Sequence, residues 1–175
     1  MHHPRVRWRY ANRLFSAGDT LHTVRATSPE TAGSSAASGA AFTFKWPVRV
    51  YYEDTDAGGV VYYANYLKYF ERCRTEWLRA LGVDQSALAR EHGLLFVVAR
   101  IEAEYRQPAG LDDELVIHAR ALQIAHCSIV FEQFAQRGDH LLARAQVTVA
   151  CVDAQRRRPA RLPPTLRSIR PSAAR

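Results

Sequence analysis

From about Ala64, apolar side chains fall at Tyr66, Leu67, Phe70, Cys73, Trp77, Leu78 and Leu81. That is the i, i+3, i+4, i+7 spacing of one stripe along a long amphipathic helix, and Gly82 stands where its C-cap is expected. A single apolar stripe needs a single apolar sheet face to cover it, and the flanking sequence supplies one. Residues 44–53 alternate, with Val48, Val50 and Tyr52 set against Arg49, Tyr51 and Glu53, which is the period of a half-buried strand. A shorter helix is expected over Gln85 to His92. Phe96 to Arg106 alternates again, with Val97, Ala99, Ile101, Ala103 and Tyr105 on one face, and Leu115–Gln123, Ser128–Gln136 and Leu141–Val152 are β-rich. Pro108-Ala-Gly110 with Asp112-Asp113 forms a connection, and Arg137-Gly-Asp139 a hairpin turn. The predicted order is one strand, a long helix and four strands: an α+β arrangement in which an antiparallel sheet of about five strands wraps one helix. Its exposed edges invite pairing across a dimer.

The chain has 175 residues, 47% of them apolar, which suits one domain with a core of its own. Order is expected from 42 to 164, between an extension over 1–41 and a basic tail over 165–175. Ser28 to Ala40 is a run of small residues that cannot bury enough apolar surface to order itself. The Arg- and Ser-rich start faintly resembles a mitochondrial transit peptide, but reads rather as a disordered extension or a start assigned too early. No apolar run approaches the roughly 20 residues of a membrane span, and a cytoplasmic protein is expected.

The formal net charge of +7 raises the question of nucleic acid, and the distribution answers it. Seven arginines and no acid lie in 154–175, and five arginines against Asp19 and Glu30 lie in 1–40. The middle, 41–153, holds fifteen acids against twelve bases. A nucleic-acid-binding core shows its own basic face, and this one does not. Salt-sensitive DNA binding that vanished on tail removal would be nonspecific. Cys73, Cys127 and Cys151 form no C-x-x-C pair and read as reduced thiols. With no H-E-x-x-H among the seven histidines, no metal is expected.

The chemistry concentrates in Tyr52 to Arg74, YEDTDAGGVVYYANYLKYFERCR, where an acidic loop (Glu53, Asp54, Asp56) passes through Gly58-Gly59 into the long helix. A helix N-terminus offers unpaired N–H donors and the positive end of the helix dipole. A carboxylate beside it offers a base or nucleophile. Together they suit attack on a carbonyl carbon.

Trp46-Pro-Val-Arg-Val-Tyr-Tyr-Glu-Asp-Thr-Asp-Ala-Gly-Gly-Val-Val-Tyr62 with Ala64-Asn65-Tyr66 resembles the hotdog-fold acyl-CoA thioesterases of the 4-hydroxybenzoyl-CoA thioesterase type. Within them it is most similar to the bacterial branch associated with the Tol-Pal envelope system. Phe70-Glu-Arg72, Phe96-Val-Val98, Leu111-Asp-Asp113 and Cys151-Val-Asp153 extend the likeness over roughly 44–164. The resemblance implies a helix enclosed by a curved antiparallel sheet, dimers that pair into tetramers, and active sites at the dimer interface. It implies hydrolysis of acyl-CoA to free acid and CoA, CoA being part of the substrate and no separate cofactor being needed. The alternative is a non-hydrolytic module of the same fold that binds acyl-CoA or acyl-carrier protein.

By the same resemblance, the catalytic carboxylate of the D-x-x-G motif falls on Asp56, and the backbone N–H that polarises the thioester carbonyl falls at Tyr63. Several members carry His where this chain has Tyr63. On residue type alone an Asp before Gly caps a turn, a role compatible with catalysis. Asp54 stands in reserve, and Glu53 tunes the loop. Gly59, Val60, Tyr62 and Asn65 are candidates for contact with the substrate, Asn65 reading equally as a helix cap. Tyr62, Tyr63, Tyr66 and Tyr69 read as an acyl-pocket lining or as core packing, with core for at least half. Glu71 reads as a partly buried structural residue or a second acid, and Glu76 as an ion-pair partner of Arg72 or Arg79. His126 and Ser128 lie where relatives meet the CoA nucleotide. Arg156 and Arg158, with Arg157, read as partners of its phosphates or as a solvated tail.

Overall fold

The computed structural model describes residues 43–171, so the extension expected over 1–41 lies outside the described residues. β1 (Phe44–Arg49) leads through a single 3₁₀ turn at Tyr52–Asp54 to α1 (Asn65–Ala80) and α2 (Gln85–His92). Then come β2 (Leu94–Tyr105), β3 (Glu114–Ile124), β4 (Ser128–Arg137), β5 (His140–Asp153), the two-residue β6 (Arg158–Pro159) and α3 (Pro164–Arg167). The strands form one antiparallel sheet in the order β1-β3-β4-β5-β2, with β6 against the end of β5. The α+β expectation holds: α1 packs on β1, β3 and β4, and α2 on β2.

The helical stripe does what its spacing predicts. Tyr69, Phe70, Cys73 and Trp77 are buried with Ile117, Phe131, Ala135 and Val147 from the sheet. The Trp77 ring meets Phe131 edge-on at 5.1 Å. α1 then ends at Gly82, whose φ of +74° suits glycine. The Gly82 amide donates to Arg79 O and the Val83 amide to Leu78 O, each at 2.9 Å, satisfying carbonyls the last turn leaves open. Asp84 caps α2, and the amides of Ala87 and then Ser86 hold its carboxyl below its ordinary pKa.

Three expectations are corrected. The strand expected to run to Glu53 stops at Arg49, because the chain turns into the 3₁₀ segment; Tyr52, read as inward, is 80% exposed. In β2, Val98 pairs with Val149 but Arg100 with Thr148, so Ala99 is an extra residue. That bulge flips the alternation midway: Val97 and Ala99 face outward, while Ile101, Ala103 and Tyr105 stay half-buried. Finally, Leu162 and Leu166 sit in the core, so the boundary expected at 164/165 cuts through α3 and the folded unit runs past it.

Candidate active site

The acidic loop is built on two neighbouring segments. Val50 exchanges backbone bonds of 3.0 Å with the 112–113 turn, in which Asp112 takes a φ of +64°. The 3₁₀ turn then brings Asp54 inward, where it is buried and its Oδ2 accepts the Tyr51 amide at 2.9 Å. Its carbonyl accepts two donors, the Tyr62 amide and Asn65 Nδ2, both at 2.9 Å. Asp54 is thus the joint between the loop and the start of α1, and its carboxylate is turned away from solvent.

Asp56 is placed differently. Its amide donates to Val60 O at 2.9 Å, its carbonyl accepts from the Gly59 amide at 2.9 Å, and Oδ1 accepts from the Gly58 amide at 2.8 Å. Gly59 turns the chain with φ +72°. A Cβ on Gly58 would lie 3.1 Å from Asp56 Oδ1, so the glycine makes room for the carboxylate. The side chain is exposed, and Oδ2 has no hydrogen-bond partner among the described residues. Turn-capping and an available carboxylate oxygen coexist in one residue.

The far side of the loop is docked on 109–110: Val60 bridges Gly110, and the Val61 amide donates to Ala109 O at 2.8 Å. Asp113 fixes that segment, its Oδ2 accepting from the Gly110 amide at 2.8 Å and pairing with Arg137. The part played by 109–113 was missed in the sequence reading, although Asp112-Asp113 before a strand signals a turn that binds its own backbone.

Tyr63 lies in the turn before α1, whose N-cap Ala64 gives no side-chain cap. The N-cap residue itself therefore does not close the helix N-terminus. Asn65, read as a cap or a substrate contact, is not the cap: it is the first helical residue, buried, with its amide on Asp54. The tyrosines divide. Tyr62 and Tyr63 are exposed with rings 4.6 Å apart, and Tyr63 meets Tyr105 at 6.1 Å. The hydrogen bond to Tyr63, then its charge, raises the pKa of Tyr62. Tyr66 and Tyr69 are core residues; burial pushes Tyr66 up to about 12 and, with the Asp54 carboxylate, raises Tyr69 further. Half of the cluster is packing and half faces out beside the loop.

Glu71, read as partly buried, is exposed and accepts the Thr75 hydroxyl at 2.7 Å, since its position falls off the apolar stripe. Glu76 pairs with Arg79, as its spacing predicts. The nucleotide-side candidates lie elsewhere. Ser128 opens β4 opposite Ala150, Arg156 pairs with Asp153 beyond β5, and Arg158 pairs with Asp153 in β6. Register runs from Tyr105↔Ala143 at the Asp56 end to Leu94↔Asp153 at the other. Asp153 therefore lies at the opposite end of the β2–β5 pair from Tyr105, roughly 30 Å away along the strand at about 3.3 Å per residue. One chain does not bring Arg156 or Arg158 to Asp56.

A curled antiparallel sheet around one long helix is the architecture of hotdog-fold thioesterases. The chain belongs to the thioesterase-like superfamily, whose sequence profile matches residues 50–169. It is 48% identical over 120 residues to the acyl-CoA thioesterase YbgC of Haemophilus influenzae, covering 69% of this chain and 88% of that one. It is 47% identical over 124 residues to the acyl-CoA thioester hydrolase YbgC of Escherichia coli, covering 70% and 92%. Among solved structures it is similar to a probable thioesterase from Bartonella henselae, with a TM-score of 0.67, 37% identity, and coverage of 70% of this chain and 100% of that one.

Proposed function

We propose that this protein hydrolyses acyl-CoA thioesters to the free acid and CoA. The observation that carries the reading is Asp56: one carboxylate oxygen tethered by Gly58 and the other open, on a loop that Asp54 ties to the start of α1. The thioester carbonyl is placed at that helix start, where the Tyr63 N–H and the helix dipole stabilise the developing oxyanion. A single preorganised donor of this kind is worth roughly 3–4 kcal/mol. Asp56 then attacks the carbonyl carbon, expelling CoA thiolate and leaving a mixed anhydride for water to hydrolyse, or it removes a proton from an attacking water. The relatives named acyl-CoA thioesterases support the substrate class.

The acting unit in this proposal is a dimer. Among the described residues β2 pairs with β5 on one side and with no strand on the other, and Leu95, Val97 and Val98 are exposed on it. Pairing β2 with its copy about a two-fold axis runs the strands antiparallel. That sets the Tyr105 end of one beside the Leu94 end of the other. Arg156, Arg158 and Ser128 of the partner subunit then approach this chain's Asp56, where a CoA nucleotide would lie, while Gly59, Val60 and Tyr62 flank the acyl thioester. Pairing of dimers into tetramers, acyl-carrier protein as a thioester donor, and action in the cytoplasm beside the Tol-Pal system belong to the same proposal.

The test is thiol release across a panel of acyl-CoAs by the native protein, Asp56→Ala and Asp56→Asn. Hydrolysis that survives both substitutions overturns the assignment. Tight acyl-CoA binding with no thiol released by the native protein identifies a binding module instead.

A further inference from the structure

Cys127 and Cys151, which the catalytic proposal leaves unused, face each other at the end of the β4–β5 ladder. β4 and β5 pair with Ile129 opposite Val149 and Ser128 opposite Ala150, so the same register carried one step further sets Cys127 opposite Cys151. The backbone bears this out, the Cys151 amide donating to Cys127 O at 2.8 Å. Residues directly opposite in an antiparallel pair stand side by side on one face of the sheet. Here that face is the inward one, on which Ile129 of β4 and Val149 and Cys151 of β5 are buried. Both cysteines are free thiols. They lie close enough to act on one another: burial and then the Cys127 thiol raise the pKa of Cys151.

Opposed residues of a hydrogen-bonded antiparallel pair have Cα atoms about 5.5 Å apart, inside the range of about 4.4–6.8 Å that a disulfide spans. The ladder therefore holds two thiols within bonding reach without a movement of the backbone. Their access to solvent differs. Cys127 is half-buried, whereas Cys151 has no exposed surface. The third cysteine is set apart: Cys73 is buried on α1, its thiol donates to Ile117 O at 3.5 Å, and burial pushes its pKa up to about 12.

We infer that Cys127 and Cys151 are a thiol–disulfide switch, Cys127 being the thiol that a small-molecule disulfide reaches and Cys151 the one that resolves the product. The Cys127 thiolate attacks one sulfur of the small disulfide, forming a mixed disulfide and expelling a thiolate that takes up the proton Cys127 lost. Cys151 then gives up its proton and attacks the Cys127 sulfur, and the second thiolate leaves with that proton. Two electrons pass from the protein dithiol to the small disulfide, which departs as two thiols. The consequence falls on the C-terminal segment. Cys151 O accepts the Ala160 amide at 2.9 Å, and His126 O accepts the Leu162 amide at 3.0 Å. A Cys127–Cys151 bond fastens together the two strands from which those bonds reach residues 160–162, and with them the core residue Leu162.

The native protein, reduced and freed of reductant, is equilibrated with glutathione disulfide and examined by intact mass and peptide mapping. The expected product is lighter by two hydrogens, carries no glutathione, and yields one cross-linked peptide pair joining Cys127 to Cys151. Cys151→Ala is expected to retain glutathione on Cys127, since the resolving thiol is gone, and Cys127→Ala to take up none. A native protein that keeps its three thiols, retains glutathione on Cys127, or cross-links through Cys73 or between chains overturns the switch. Glutathione on Cys127→Ala overturns the entry at Cys127. Closing the loop from 127 to 151 restricts the unfolded chain, so the oxidised protein is expected to melt roughly 5–10 °C above the reduced one. An oxidised protein that melts no higher than the reduced one overturns the fit of the pair. Neither measurement needs turnover, so both stand or fall apart from the thioesterase reading.

Discussion

Asp54 and Asp56 are chemically alike and two positions apart, yet their environments divide the work. Asp54 is buried and spends its oxygens on Tyr51, Tyr62 and Asn65, while Asp56 is exposed and keeps one oxygen open. Asp56→Asn is therefore expected to lower kcat by roughly 100- to 10,000-fold, the range for loss of a positioned base, with the melting temperature unchanged; stopped-time thiol release and calorimetry on one preparation check both. Asn65→Ala removes the side-chain link from α1 to the Asp54 carbonyl. It is expected to cost about 1 kcal/mol of stability and to reduce kcat more than it raises KM, because it loosens the helix start relative to the carboxylate. A kcat unchanged in Asn65→Ala would separate the link from catalysis. The sequence narrowed the site to this loop, and the family likeness pointed to Asp56. The division of roles between the acids was not legible, because loop residues have no period and only the 3₁₀ turn decides which faces in.

Elements with strong period were read well, and those defined by a break in period were not. The stripe of α1 and the extent of α2 follow the sequence, whereas the bulge at Ala99 adds one residue that no alternation can announce. Residue Trp77, 1% exposed, anchors α1 against Phe131, and Trp77→Ala is expected to cost about 3–5 kcal/mol in denaturant unfolding. In β3, His118 stacks on Phe134 at 4.3 Å, and burial, then the Lys45 charge, lower its pKa. The unfolded chain takes up that proton first. Stability is thus expected to fall as pH drops below about 6.5 and to level off beneath the lowered folded value. Comparing denaturant midpoints at pH 7 and pH 5 for the native protein and His118→Gln checks the sign, the variant showing the smaller loss.

At the scale of the whole molecule, the site proposed here is incomplete in one chain. Val98, 52% exposed on the edge of β2 that no described strand pairs with, is the place to test that. Val98→Lys is expected to convert dimers to monomers in sedimentation velocity and to remove thioesterase activity while far-ultraviolet circular dichroism is retained; a fully active monomer would refute the shared site. The sequence foretold the sheet and the helix. It did not reveal α3, because Leu162 and Leu166 are two apolar residues in a basic stretch without period, and only the core shows that they belong to it.

The bonds from Asp54 to Tyr62 and Asn65 span at most eleven positions in the chain. β1, by contrast, finds its partner only in β3, with Phe44 opposite Ala119. Closing a short loop costs less entropy than closing a long one, so the two events separate in order of assembly. The links from Asp54 to the helix start join chain neighbours, whereas the docking of the loop on 109–113 and the pairing of β1 with β3 join segments far apart in the chain. During synthesis the link between the acidic loop and the helix start is written before the strand that will hold its edge has left the ribosome.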